Sequence, residues 1–163
     1  MRTAVYAGAF DPITLGHLDI AARGAKMFDH VIIAIAKNSY KNVLFSIDER
    51  FALISEATKN IPNVSVEVFE GLLVDFCQKK QVSAIIRGLR AVSDFEIELQ
   101  MALMNRQLNS NMDTVFLMAS SQYLFISSSL IKNAASVGGN VSSFVPPNVQ
   151  EALAKKFTGK NTE

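Results

Sequence analysis

The sequence is poor in the features that mark several broad classes of protein. One cysteine, Cys77, stands among 163 residues, which excludes an internal disulfide. An excess of one charge is missing too: 16 Lys and Arg against 15 Asp and Glu leave a net +1. Nothing global therefore argues for DNA or RNA as a partner, and any anion site must be local. The longest apolar runs, such as residues 31–36, fall far short of the ~20 needed to cross a bilayer. The first residues lack the basic n-region, apolar h-region and cleavage site of a secretory signal. The expectation is a soluble cytoplasmic protein with neither membrane nor nucleic acid as partner. Internal repeats and low-complexity segments are also absent.

What is present is apolar material enough for one substantial core, 49% of residues. A single domain over residues 1–157 is expected, with 158–163 a frayed tail. Short apolar, mostly β-branched runs at 3–7, 31–36, 64–69, 84–87 and 114–118 read as strands. Between and after them, 3.6-period segments at 17–28, 47–58, 72–81, 94–108, 128–137 and 147–157 read as helices. Capping boxes mark two starts, Ser46-x-x-Glu49 and Ser93-x-x-Glu96, while Gly138-Gly139 closes the fifth helix and prolines open the sixth. Regular β-α alternation implies right-handed crossovers. The fold class is α/β: a Rossmann-like, parallel five-stranded sheet with helices on both faces and a ligand crevice at the C-terminal strand ends. Cys77, between Leu73, Val74 and Phe76 and the following lysines, reads as a buried small hydrophobe.

That topology gathers chemistry on one rim. Strand one leads through a glycine turn to His17, strand two to Lys37, Asn38, Ser39, Tyr40 and Lys41, and strand three to Glu70-Gly71. Strand four ends in Arg87-Gly88-Leu89-Arg90, and strand five runs through Ser120, Ser121 and Tyr123 to Ser127-Ser128-Ser129 at a helix start. Singly, each is a cap, a solvated turn or a basic loop. Converging, the cations and two helix N-termini make a polyphosphate site, pointing to phosphoryl or nucleotidyl transfer. His30, on the opposite rim, reads as structural. The stripe Phe95, Leu99, Ala102, Leu103, Arg106 reads as core or oligomer face, and Met101, Met104 and Leu108 widen it enough to require a second buried surface. Gly-x-Gly-x-x-Gly, Gly-Lys-Ser/Thr and Cys/His clusters are all missing, which argues against a dinucleotide fingerprint, a Walker A loop and a tight transition-metal site. Any magnesium arrives with substrate phosphates.

The stretch Gly8-x-Phe10-Asp11-Pro12-x-Thr14-x-Gly16-His17, together with Ile126-Ser127-Ser128-Ser129-Leu130-Ile131-Lys132, resembles the paired T/H-x-G-H and I-S-S-S/T-x-x-R/K signatures of the nucleotidyltransferase superfamily. The block from Ile86 to Glu96, IRGLRAVSDFE, is similar to that of the bacterial phosphopantetheine adenylyltransferases, and the likeness covers nearly the whole chain. The resemblance implies reversible adenylyl transfer from ATP to 4′-phosphopantetheine, giving dephospho-coenzyme A and pyrophosphate with Mg2+, by direct in-line attack without a covalent intermediate. It implies His17, Lys41 and Arg90 as catalytic residues. Lys41 and Arg87 correspond to holders of the attacking phosphate, with Ala9, and Leu73 and Asn105 to the pantetheine channel. Ala9, Phe10, His17, Gly88, Leu89, Arg90, Glu98, Tyr123, Leu124, Phe125, Ile126, Ser127, Ser128 and Ser129 correspond to the ATP site. No residue is implied as a metal ligand. A homohexamer feedback-inhibited by coenzyme A is the implied assembly.

Four positions depart from the family pattern. Ala9 stands in place of Thr or Ser, Ala7 of proline, Ile97 of tyrosine and Leu124 of serine. None removes a charge, but Ala9 removes a hydroxyl that meets substrate phosphate. Two other classes share parts of the pattern: a nucleotidyltransferase using CTP with a phosphoalcohol or ATP with nicotinamide mononucleotide, and a nucleotide-binding protein without catalysis.

Overall fold

Five apolar stretches rich in β-branched residues pair side by side, and the helices between them carry the chain back along the sheet each time. The computed structural model describes residues 1–37, 42–82 and 84–158. In chain order the elements are β1 (Thr3–Gly8), α1 (Leu15–Met27), β2 (His30–Ala36), α2 (Ile47–Thr58), β3 (Val64–Phe69), α3 (Leu73–Lys79), β4 (Ala84–Leu89), α4 (Val92–Leu108), β5 (Asp113–Met118), a 3-10 turn (Ser121–Tyr123), α5 (Ser128–Ser136) and α6 (Pro147–Thr158). Every element expected from periodicity is present, with ends within two residues.

All neighbouring strands run parallel in the order β3-β2-β1-β4-β5. The chain therefore builds outward from β1 to β3, then crosses to the other side of β1 for β4 and β5. The reversal between β1 and β4 opens a crevice at their C-terminal ends, where doubly wound sheets bind ligands.

Strand alternation divides the core into two layers. Tyr6, Val31, Ile33, Ile35 and Ile86 pack on one face with residues of α1, α2, α5 and α6. Val5, Ile32, Ala34 and Ile85 pack on the other with Val74 and Cys77 of α3. Burial pushes the Cys77 thiol up to about 11, so it is an inert core residue, as its setting suggested. His30 donates or accepts a 2.8 Å hydrogen bond with Ser65 Oγ at the start of β2, a structural role.

Local signals act as expected at most helix ends. Ser46 and Glu49 form a reciprocal capping box, and Gly138, at φ 83, turns the chain so that Gly139 N–H reaches the Ala134 carbonyl at 2.8 Å. The second expected box is a correction. α4 begins at Val92 with Ala91 as its N-cap, so Ser93 lies inside the helix and caps nothing. Asp94 takes over: its carboxylate accepts from the Arg90 backbone N–H (3.2 Å) and from Arg90 Nε (3.3 Å).

α4 also corrects the stripe as a core face. None of its seventeen residues is buried; Leu103 is 57% exposed, and Phe95, Leu99, Met101, Met104 and Leu108 are exposed as well. Phe95 meets Phe116 edge to face, so the helix touches the sheet through few side chains and leaves the rest of its apolar surface open.

Candidate active site

The turn after β1 is shaped by a close contact. Gly8 lies under the Phe10 ring, where an added Cβ would come within 3.1 Å of it. Phe10 itself, at φ 48, takes a backbone conformation that costs a non-glycine residue free energy, and its ring stands edge-on to His17 with centroids 5.2 Å apart. Asp11 is buried, accepting from the Leu44 and Phe45 backbone N–H groups (both 2.8 Å) and from Lys132 Nζ (2.7 Å). One carboxylate thus ties the turn to the segment before α2 and to α5.

His17 is the third residue of α1 and completes a capping box in which an imidazole takes the usual carboxylate's place. His17 N–H donates to Thr14 Oγ1 (3.3 Å), and Thr14 N–H donates to His17 Nδ1 (3.0 Å). Since Nδ1 accepts, the neutral ring carries its proton on Nε2. No described residue pairs with Nε2, and the ring lines the pocket. Burial, aided by the Arg90 and Arg87 charges, lowers the His17 pKa to about 4. At neutral pH it is an uncharged donor.

The pocket, about 330 Å³, lies at the C-terminal ends of β1, β4 and β5. It is walled by the Gly8–Asp11 turn and His17, by Arg87, Gly88, Arg90 and Glu98, and by Tyr123 and residues 126–129 with Lys132. Arg87 donates through Nε (2.5 Å) and Nη2 (2.6 Å) to the two Glu98 oxygens and through Nη1 to the Ala7 carbonyl (2.7 Å). Burial works against its charge, but the Glu98 hydrogen bonds and charge outweigh that and raise its pKa. Arg90 Nη1 bridges to the Ile126 carbonyl (2.9 Å). Asp19 accepts from Ser120 N–H and Oγ, and Arg23 reaches the Met118 carbonyl, so α1 also holds the chain leaving β5. The N-terminus of α5, capped by Ser127 Oγ, faces this rim, and Ser128 Oγ donates to the Pro12 carbonyl (2.8 Å).

Of the residues singled out in the sequence, the structure brings Ala9, Phe10, His17, Arg87, Gly88, Arg90, Glu98, Tyr123, Ile126, Ser127, Ser128 and Ser129 to this pocket. Leu89 is a buried residue behind it, and Leu124 and Phe125 are exposed beside it. Leu73, on α3, packs against the opposite face of the sheet, and Asn105, on α4, is outside the pocket wall. Lys41 lies outside the described residues.

Sequence reasoning assigned no site role to Asp11, Lys132, Tyr6 or the Thr14 cap. Thr14-x-x-His17 has capping-box spacing, which was a readable signal. Tyr6 was hidden as one apolar residue in a strand; its hydroxyl pKa is raised chiefly by burial. Among the described residues no group of three or more His, Cys, Asp or Glu could hold a metal ion, and the pocket's carboxylates, Asp11 and Glu98, are engaged by internal donors.

Comparison with known proteins identifies the family. Residues 5–134 match the family model described as cytidylyltransferase-like. The chain is 55% identical over 156 residues to a phosphopantetheine adenylyltransferase of Desulfatibacillum aliphaticivorans, covering 96% of this chain and 89% of that one. It is 52% identical over 157 residues to one of Moorella thermoacetica, covering 96% and 98%. A solved structure from Vibrio parahaemolyticus, assigned as a nicotinate-nucleotide adenylyltransferase, superposes with TM-score 0.76 at 19% identity, covering 99% of this chain and 98% of that one, a likeness of fold alone.

Proposed function

The chain belongs to the cytidylyltransferase-like family and, within it, to the phosphopantetheine adenylyltransferases of coenzyme A biosynthesis, and from that membership we propose reversible adenylyl transfer from ATP to 4′-phosphopantetheine by direct in-line attack. An oxygen of the pantetheine phosphate bonds to the α-phosphorus, the bond to the β-phosphate oxygen breaks, and pyrophosphate leaves with that electron pair. Two polyanions repel, so the work is positioning and charge neutralisation.

The observation that carries this reading is the neutral, Nε2-protonated His17 beside Arg87 and Arg90. A ring whose Nδ1 is taken by Thr14 N–H cannot relay a proton, so it acts by donating to a phosphate oxygen whose charge grows in the transition state. No covalent step is needed. The inert Cys77 lies in the other core layer, Ser127 caps α5, and Ser128 is bonded to Pro12.

In this reading Arg87, with Lys41 and Ala9, receives the attacking phosphate, Leu73 and Asn105 serve the pantetheine arm, and Arg90, Glu98 and residues 123–129 serve ATP. Glu98 also fixes the Arg87 guanidinium through their bidentate pair, and so orients the holder of the attacking phosphate. Magnesium, carried by the ATP phosphates, supplies further charge neutralisation; the engaged carboxylates of this pocket fit a metal brought in by substrate. The apolar surface of α4 supports self-association; a homohexamer, coenzyme A as product-like inhibitor and a cytoplasmic location complete the proposal. No described helix is long and apolar enough to cross a membrane.

A pyrophosphate-release assay tests the reading. ATP with phosphopantetheine should turn over, while CTP with a phosphoalcohol and ATP with nicotinamide mononucleotide should not. ATP binding without turnover on any acceptor would overturn it.

A further inference from the structure

Arg50, on α2, lies outside the pocket wall and is only 2% exposed. A guanidinium removed from water requires acceptors for its five N–H groups. Among the described residues, this side chain makes one hydrogen bond, from Nη1 to the Ala9 carbonyl at 2.8 Å, and its Nε has no acceptor. The nearby Asp11 carboxylate is already taken by two backbone N–H groups and Lys132. Stability alone is a poor account of such a group, because an aliphatic side chain would fill the space without the desolvation cost.

What Arg50 holds is one peptide of the turn. In a trans peptide the C=O and the next N–H point in opposite directions. With the Ala9 carbonyl drawn to Arg50, the Phe10 N–H faces away from Arg50, and Ala9, Phe10 and His17 all line the pocket, whose wall does not include Arg50. That N–H donates to no described backbone group. Phe10 keeps its costly φ of 48 while this is so, which means surrounding contacts impose the conformation.

We infer that Arg50 is a positioning residue of the phosphate site: it fixes the Ala9 carbonyl behind the turn and so presents the Phe10 N–H, beside the His17 Nε2–H, to phosphate oxygens. Its under-compensated charge lies beneath the same anion. The inference rests on the adenylyl-transfer reading, but its test does not depend on turnover.

Titration calorimetry of the full-length chain with inorganic pyrophosphate, with and without magnesium, compares wild type with Arg50→Met and Arg50→Lys, folding being checked by circular dichroism. Arg50→Met should lose about tenfold or more in pyrophosphate affinity, and in kcat rather than in KM for phosphopantetheine; Arg50→Lys, which keeps a charge and a donor, should recover most of both. A folded Arg50→Met with wild-type affinity and kcat overturns the inference. If Arg50→Met does not fold, amide NMR of the wild type decides: the Phe10 amide must shift on saturation with pyrophosphate, and an unmoved signal refutes its role as donor. A wild type that binds pyrophosphate as described yet shows no turnover would instead remove the proposed reaction and leave the Arg50 result standing.

Discussion

Replacing His17 by alanine separates two roles of one side chain, one proposed at the reacting phosphate and one in the capping box at the start of α1. In the proposed mechanism the Nε2–H donor acts on charge that develops at phosphate, so its loss should cost about 3 kcal/mol of transition-state stabilisation, or two to three decades in kcat. ATP affinity should change only a few-fold, because the proposed reading spreads ground-state binding over Arg90, the turn and the start of α5, which line the pocket with His17. The second role is structural. At neutral pH the variant leaves Thr14 N–H without its Nδ1 acceptor and should unfold about 0.5–1.5 kcal/mol more easily. In acid the balance reverses. The wild-type ring has its pKa at about 4, below the ordinary 6.5, so between those values the unfolded chain takes up the proton first. His17 therefore costs the wild type no stability above about pH 6.5 and progressively more as the pH falls toward 4, up to about 3 kcal/mol and less where water reaches the open ring edge. Urea unfolding of both proteins at pH 7.5, 6 and 5 should show the stability gap closing and then inverting. A constant gap across that range, or a variant with near-normal kcat, would refute the reasoning.

Three further outcomes test other parts of the site and surface. Arg87→Ala should weaken phosphopantetheine more than ATP in calorimetric titrations, and Arg90→Ala the reverse; equal losses for both ligands would mean that the two cations act as one field. Ala9→Ser restores a hydroxyl at the turn and should raise kcat/KM roughly three- to thirty-fold in the pyrophosphate-release assay, the value of one added hydrogen bond to phosphate; lower activity would mean that the turn has repacked around alanine. Leu103→Asp places a charge in the apolar surface of α4 and should dissociate the proposed assembly, as read by light scattering; a wild type that is monomeric across micromolar concentrations would refute the hexamer.

The sequence by itself determined the elements and their order, because hydrophobic period, β-branching and turn chemistry are local properties. It also determined which rim carries the chemistry: once the strands are parallel, His17, Arg87, Arg90 and Ser127 must follow strand ends on one side. It could not decide what each of these groups bonds to. Arg87 and Glu98 are eleven residues apart, and only the packing of α4 beside β4 makes their bidentate pair. Ser93 has the spacing of a cap, yet the helix begins two residues too early for it, and Asp94 reaches back to Arg90. The tautomer of His17 follows from a single backbone N–H at Thr14, and Arg50 reads in the sequence as one more polar residue of an amphipathic helix. Only tertiary folding brings it under the Ala9 carbonyl, forty-one positions away, because long-range polar pairing depends on which helices meet, not on periodicity along the chain.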